Sequence, residues 1–145
     1  MPNKNKYIAA VTVTVDATVP DIWVIWTDVS AWNTWDHGIE QSKLNGSFRA
    51  GNTFSLTPRG GEPLEVTLKT VTQGEEFSDE AVLPFGSIRN FHRVEPLGRK
   101  VKLTHEVHAE INEEEAEFFE KNIWPHMQGG LAESVGNIAN LVQVS

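Results

Sequence analysis

The last third of the chain carries one apolar stripe of helical length, and nothing before it matches. Phe119, Ile123, Met127, Leu131, Val135, Ile138 and Val142 recur at intervals of four, four, four, four, three and four. That spacing places them on one face of an α-helix, and Leu141 widens the face. Asn112 stands where an N-cap belongs, and Glu115, three residues on, completes a capping-box pattern. Glu113, Glu114 and Glu115 also suit the positive end of a helix. At 1.5 Å per residue a helix over 113–143 runs roughly 45 Å. Pro125 removes one helix hydrogen bond and is expected to kink it. Gly129, Gly130 and Gly136 each cost on the order of 1 kcal/mol relative to alanine. One long amphipathic helix needs a broad apolar surface to cover.

The rest of the sequence supplies that surface as strands. Residues 7–17 alternate, with Ala9, Val11, Val13, Val15 and Ala17 on one side and Thr12, Thr14 and Asp16 on the other. This is the pattern of a half-buried strand. Pro20 suits the first position of a helix, and Ile22, Ile25, Trp26 and Val29 then form a helical stripe. Ser30 is placed to cap a second short turn through Trp35. Six further strands are expected at Ser42–Phe48, Thr53–Thr57, Leu64–Thr72, Glu76–Leu83, Ser87–Glu95 and Val101–Ile111. Gly51-Asn52, Gly60-Gly61, Gln73-Gly74, Pro84-Phe85-Gly86 and Leu97-Gly98 separate most of them. Short connections favour antiparallel hairpins in sequence order. The expected fold is α+β: a seven-stranded curled antiparallel sheet in the order β-α-α-β6-α, gripping a long C-terminal helix. Residues 1–145 read as a single domain. One helix cannot fill the whole trough of a curled sheet, so a space is expected between them.

Bulk properties exclude several classes of function. The chain has no cysteine, so thiolate zinc sites, redox thiols and disulfide frameworks are out. The formal charge is −8 and the twelve Lys and Arg residues are scattered. Nucleic-acid binding would need a basic footprint, and an anionic membrane surface would repel this chain. No apolar run is long enough for membrane insertion, and no secretory signal is visible at the start. The expected setting is cytoplasmic. Asn45-Gly46-Ser47 fits the glycosylation pattern but carries little meaning without secretion.

Several local patterns resemble those of the helix-grip superfamily, also called START-like or birch-pollen-allergen-like. Val19-Pro20-Asp21-Ile22-Trp23 resembles the opening of its first small helix. Trp32-Asn33-Thr34-Trp35-Asp36 resembles its W-x-x-W-D turn, and Phe77-Ser78-Asp79-Glu80 resembles the start of its fifth strand. His92-Arg93-Val94-Glu95-Pro96, followed by Val101-Lys102-Leu103-Thr104-His105, resembles the hairpin before its last helix. The nearest group is the polyketide cyclase/dehydrase and lipid-transport group. The resemblance spans nearly the whole chain in element order. It implies the fold, not one function, since this fold hosts lipid carriers, receptors and cyclases.

Hairpin register gathers the residues best able to carry chemistry. If Val94 pairs with Leu103, His92 faces His105 and Asn90 faces Val107. Pairing Leu83 with Ile88 sets Asp79 opposite His92, giving an inward row of Asp79, His92 and His105. A slip by two would make the row a diagonal on the same face. A carboxylate beside an imidazole raises its pKa and orients it as a base. Two histidines and a carboxylate also match a facial metal triad. The simpler reading is a hydrogen-bonded interior network that touches a ligand, and no metal or cofactor is assigned.

Four of the five tryptophans, Trp23, Trp26, Trp32 and Trp35, fall between positions 23 and 35. Trp23 and Trp26 read as core, Trp32 and Trp35 as the rim of the cavity. In the resembling fold the turn at Asp36-His37-Gly38 lies near the cavity mouth. Met127, Gly130 and Leu131 are the ligand-facing candidates on the long helix. The alternative for its glycines is that they permit close contact between helix and sheet. Arg89, Arg93 and His108 are expected to face outward.

Together these residues point to an internal cavity that binds a small hydrophobic molecule, such as a lipid, polyketide or aromatic metabolite. Trp32, Trp35, Asp79, Asn90, His92, His105, Met127, Gly130 and Leu131 are its expected contacts. A cyclase or dehydratase using His92 or His105, with Asp79, is the enzymatic alternative. An interaction module with a filled interior is the third. The oligomeric state is open, a homodimer included.

Overall fold

The computed structural model describes residues 4–143. Seven strands, β1 (Lys4–Val15), β2 (Ile39–Asn45), β3 (Thr53–Pro58), β4 (Leu64–Thr72), β5 (Glu76–Leu83), β6 (Gly86–Leu97) and β7 (Lys100–Asn112), build the sheet. Every neighbouring pair is antiparallel, in the order β1-β7-β6-β5-β4-β3-β2. Strands β2 to β7 follow one another as hairpins. Only β1 leaves sequence order, closing on β7 with Lys4 opposite Asn112 and Val15 opposite Val101. Register shifts at Ile39/Gln41 and at Leu68/Thr70 mark bulges, which add local twist.

Between β1 and β2 the chain forms α1 (Val19–Thr27) and a 3-10 turn over Val29–Thr34. A capping box starts α1. The Asp21 amide donates to Thr18 Oγ1 (3.3 Å), and the Thr18 amide donates to Asp21 Oδ2 (3.0 Å). Ser30 does not cap the turn. Asp28 holds that position without a side-chain bond, and Ser30 Oγ donates to Asp28 Oδ1 instead (3.2 Å).

The C-terminal helix is two helices, α2 (Glu113–Asn122) and α3 (Trp124–Val142). Pro125 has no N–H to offer the Lys121 carbonyl, and its ring crowds that carbonyl, so the first helix ends one turn upstream. The proline then sits in the first turn of α3, where a missing N–H costs nothing. Asn112 holds the N-cap position of α2, as expected, but makes no side-chain cap hydrogen bond. Asn112 belongs to the end of β7, and its Nδ2 donates to the Pro84 carbonyl (3.4 Å).

The apolar interior is in two pieces. The larger surrounds fully buried Trp26, Ile22, Leu68, Leu103 and Ile138 under the small helices and the C-terminal half of α3. The smaller gathers Ala109, Ile111 and Phe119 with Tyr7, Phe85 and Trp124 at the α2 end. The helical stripe follows this division. Phe119, Val135 and Ile138 are buried, while Ile123, Met127 and Leu131 between them are only half-buried.

Candidate functional site

The half-buried middle of the stripe faces an opening. A cavity of about 960 Å³ lies between the sheet and α3 and separates the two apolar clusters. Trp32, Trp35 and Phe54 border it on one side, Ile88, Ile123 and Met127 on the other. All nine residues singled out from the sequence, Trp32, Trp35, Asp79, Asn90, His92, His105, Met127, Gly130 and Leu131, line it. A Cβ added at Gly129 or Gly130 would meet nothing within 4 Å. These glycines therefore leave space; they do not admit a close helix–sheet contact.

The last hairpin has the expected register, with Val94 opposite Leu103, His92 opposite His105 and Asn90 opposite Val107. The preceding hairpin is tighter by two. Leu83 pairs with Gly86, so Asp79 faces Asn90 and Phe77 faces His92. The cause is Gly86. Its φ is +153°, and an added Cβ would lie 2.1 Å from the Glu110 carbonyl oxygen. Only glycine lets β6 begin there against β7, which shortens the loop to Pro84-Phe85. Asp79 and His92 consequently sit on a diagonal, about 7 Å apart at Cβ. The straight row does not form, and among the described residues no carboxylate bonds to either imidazole.

His105 is fully engaged. The Trp26 indole, which can only donate, bonds to His105 Nε2 (3.2 Å). The ring proton is therefore on Nδ1, which donates to Ser134 Oγ (3.3 Å), and Ser134 donates to the Leu131 carbonyl (3.0 Å). Burial drops the His105 pKa to about 3, so the ring is neutral and its basic nitrogen is occupied. His92 is different. Its Nδ1 donates to the Phe77 carbonyl (3.4 Å) while the ring stacks on Phe77 at 3.9 Å. Its Nε2 lone pair has no hydrogen-bond partner among the described residues. Burial first, then the neighbouring His105, hold its pKa well below the usual value, against a smaller raising effect from the Phe77 carbonyl.

Asp79 is 3% exposed. Burial pushes its carboxyl up to about 7, and the bond from Asn90 Nδ2 (3.2 Å) opposes this only in part. Among the described residues no lysine or arginine lines the cavity. No group of three His, Asp or Glu there is arranged to hold a metal ion.

The tryptophans form walls. Trp32 and Trp35 are each 3% exposed, so they are buried lining instead of a rim. The Trp32 indole donates to the Trp26 carbonyl (2.9 Å), while the buried Trp35 Nε1 has no partner among the described residues. Trp26 is fully buried in the core, and Trp23 is half-buried at its edge against Trp26 and Phe48. At the mouth His37 is exposed and pairs with Glu133 (3.0 Å), and Asp36 Oδ1 accepts from the Gly38 amide (3.0 Å). Burial raises the Asp36 pKa, with the Gly38 bond opposing. Arg89 pairs with Glu80, and Arg93 and His108 pair with Glu106; Glu106 lines the cavity, and the three basic residues do not.

Sequence reasoning passed over Ser134, Glu133, His126 and Phe54, which also line the cavity. Ser134 was detectable as a polar interruption in the apolar face between Leu131 and Val135.

No helix among the described residues is long and apolar enough to cross a membrane. Among curated proteins, none matches the chain. Solved structures do. Norcoclaurine synthase from Thalictrum flavum is 16% identical, with a TM-score of 0.74 over 99% of this chain and 90% of that one. Major latex-like protein 151 from Panax ginseng is 12% identical, with a TM-score of 0.74 over 96% and 99%. A protein from Mesorhizobium loti is 11% identical, with a TM-score of 0.74 over 93% and 96%. At these identities the likeness establishes the helix-grip fold alone. The sequence-level match is to the family model described as polyketide cyclase / dehydrase and lipid transport, over residues 8–143, and to that family, within the helix-grip superfamily, the chain belongs.

Proposed function

We propose that the domain binds a small hydrophobic molecule in its interior cavity. The observation that carries this reading is the cavity itself. Its volume of about 960 Å³ falls in the range of small-molecule sites, about 300–1,000 Å³. Its lining is mostly apolar, and Asp79, Asn90 and His92 are the few polar groups on the inner sheet face able to orient a ligand. His105 contributes its ring face, since both of its nitrogens are engaged. Met127, Gly130 and Leu131 shape the helix side. A void of this size also counts against an interaction module with a filled interior.

The test is native mass spectrometry of the purified protein, followed by thermal shifts with fatty alcohols, sterols and aromatic polyketides. A ligand at one hundred times its Kd stabilises the fold by about 2.7 kcal/mol. A protein that purifies empty and shifts with no member of the panel would sink the reading.

One observation favours turnover as a second reading. The Asp79 carboxyl at about 7 and the open Nε2 of His92 face the same space, which suits proton transfer to and from a bound carbonyl compound. With a substrate in hand, H92Q should lower kcat by about a hundredfold. Unchanged turnover would remove His92 from any mechanism.

A further inference from the structure

The charge pattern of the cavity narrows the ligand class, on the reading that the cavity is a ligand site. Asp79 is the deep acidic group. Its only side-chain hydrogen bond among the described residues comes from Asn90. The titratable groups around the same space are His92 on β6, His105 and Glu106 on β7, Asp36 and His37 at the mouth, and His126 and Glu133 on α3; Arg93 and His108, the cations nearest by sequence, are paired with Glu106. None supplies a cation to Asp79. The two inner imidazoles are neutral, and His37 is tied to Glu133. A buried carboxylate with no counter-charge is costly, so the group drifts toward its neutral form. A ligand that carries its own cation reverses that cost.

We propose that the cavity binds an amine, a molecule with an apolar body and one protonated nitrogen that pairs with Asp79. Two further observations support it. Trp32 and Trp35 line the same cavity, and indole rings attract a cation that reaches their faces. The mouth carries Asp36 and Glu133 on a chain of net charge −8, which favours entry of a positive ligand. A carboxylate ligand would meet Asp79 and no cation at all.

The experiment uses decylamine, decanol and decanoic acid, which share one chain length and differ in head group. Dissociation constants are read from tryptophan fluorescence at pH 7.5 for the wild type and D79N. Decylamine should bind about tenfold or more tighter than decanol, with decanoate weakest. D79N should abolish the amine's advantage over decanol. In the wild type alone, decylamine should also tighten between pH 6 and 8 as Asp79 loses its proton. Decanol binding as tightly as decylamine overturns the amine assignment, and so does an amine preference that survives D79N; both leave the hydrophobic-ligand reading standing. Absence of binding by all three overturns both.

Discussion

Replacing Asp79 with asparagine keeps the shape of the side chain and its acceptor toward Asn90 while removing the charge. The effect on stability should depend strongly on pH. The folded carboxyl titrates at about 7, against 3.8 for an ordinary aspartate. A group whose folded pKa is raised holds its proton more tightly in the folded state. Its stabilisation is therefore complete below 3.8 and is lost as pH rises through about 7. At about 1.36 kcal/mol per pKa unit the whole span is worth about 4 kcal/mol. About 3 kcal/mol of it falls between pH 5 and pH 8.5. The histidines titrate in both proteins and cancel from the comparison. Urea unfolding of ligand-free wild type and D79N, followed by tryptophan fluorescence, should show the variant gaining about 3 kcal/mol on the wild type from pH 5 to pH 8.5. A difference that stays constant within about 0.5 kcal/mol would refute the argument, because Asp79 would then not be a carboxyl buried without a counter-charge.

His105 acts in the opposite direction. Its pKa is lowered from 6.5 to about 3, so its contribution is complete above 6.5 and is lost as pH falls toward 3. By pH 5 the loss is about 2 kcal/mol, and H105Q should flatten that acid limb in a denaturation series. W26F leaves His105 Nε2 without its donor and should cost about 1–3 kcal/mol before any void is counted; a urea midpoint no lower than that of W23F would contradict the bond. G86A forces a Cβ to within 2.1 Å of the Glu110 carbonyl and should cost about 3 kcal/mol or more. G130A meets nothing within 4 Å and should stabilise by about 0.5–1 kcal/mol; a calorimetric Tm for each variant checks both signs.

The element order was legible because it rests on local patterns: alternation in the strands, the four-residue spacing of the stripe, and turn residues between hairpins. The register of β6 against β7 followed from Val94 and Leu103, each of which has only one apolar face to offer. The register of β5 against β6 came out two residues off, because Pro84-Phe85-Gly86 reads as loop. Only the approach of the Glu110 carbonyl reveals that Gly86 already belongs to a strand. Caps show the same limit. Thr18 and Asp21 carry a readable capping signature, whereas Asn112 matches the pattern and spends its side chain on Pro84. The nine cavity residues were legible as a set, since side-chain parity survives a shift of two. The chain from Trp26 through His105 to Ser134 was not, because it joins three elements distant in sequence, and it decides that His105 is occupied while His92 is open.

The closure of β1 on β7 sets a timetable for assembly. Strands β2 to β7 can pair in order as each is made, but β1 waits for a partner that lies 86 residues on from Val15 to Val101 and 108 from Lys4 to Asn112. At ribosomal speeds of about 5–20 residues per second, that wait lasts about 5–20 s. Meanwhile Val11, Val13 and Val15 have no neighbour and the free edge of β7 does not yet exist. Closure of the sheet is thus the last step, and a nascent chain stalled before Val101 leaves β1 unpaired and open to pairing with another molecule.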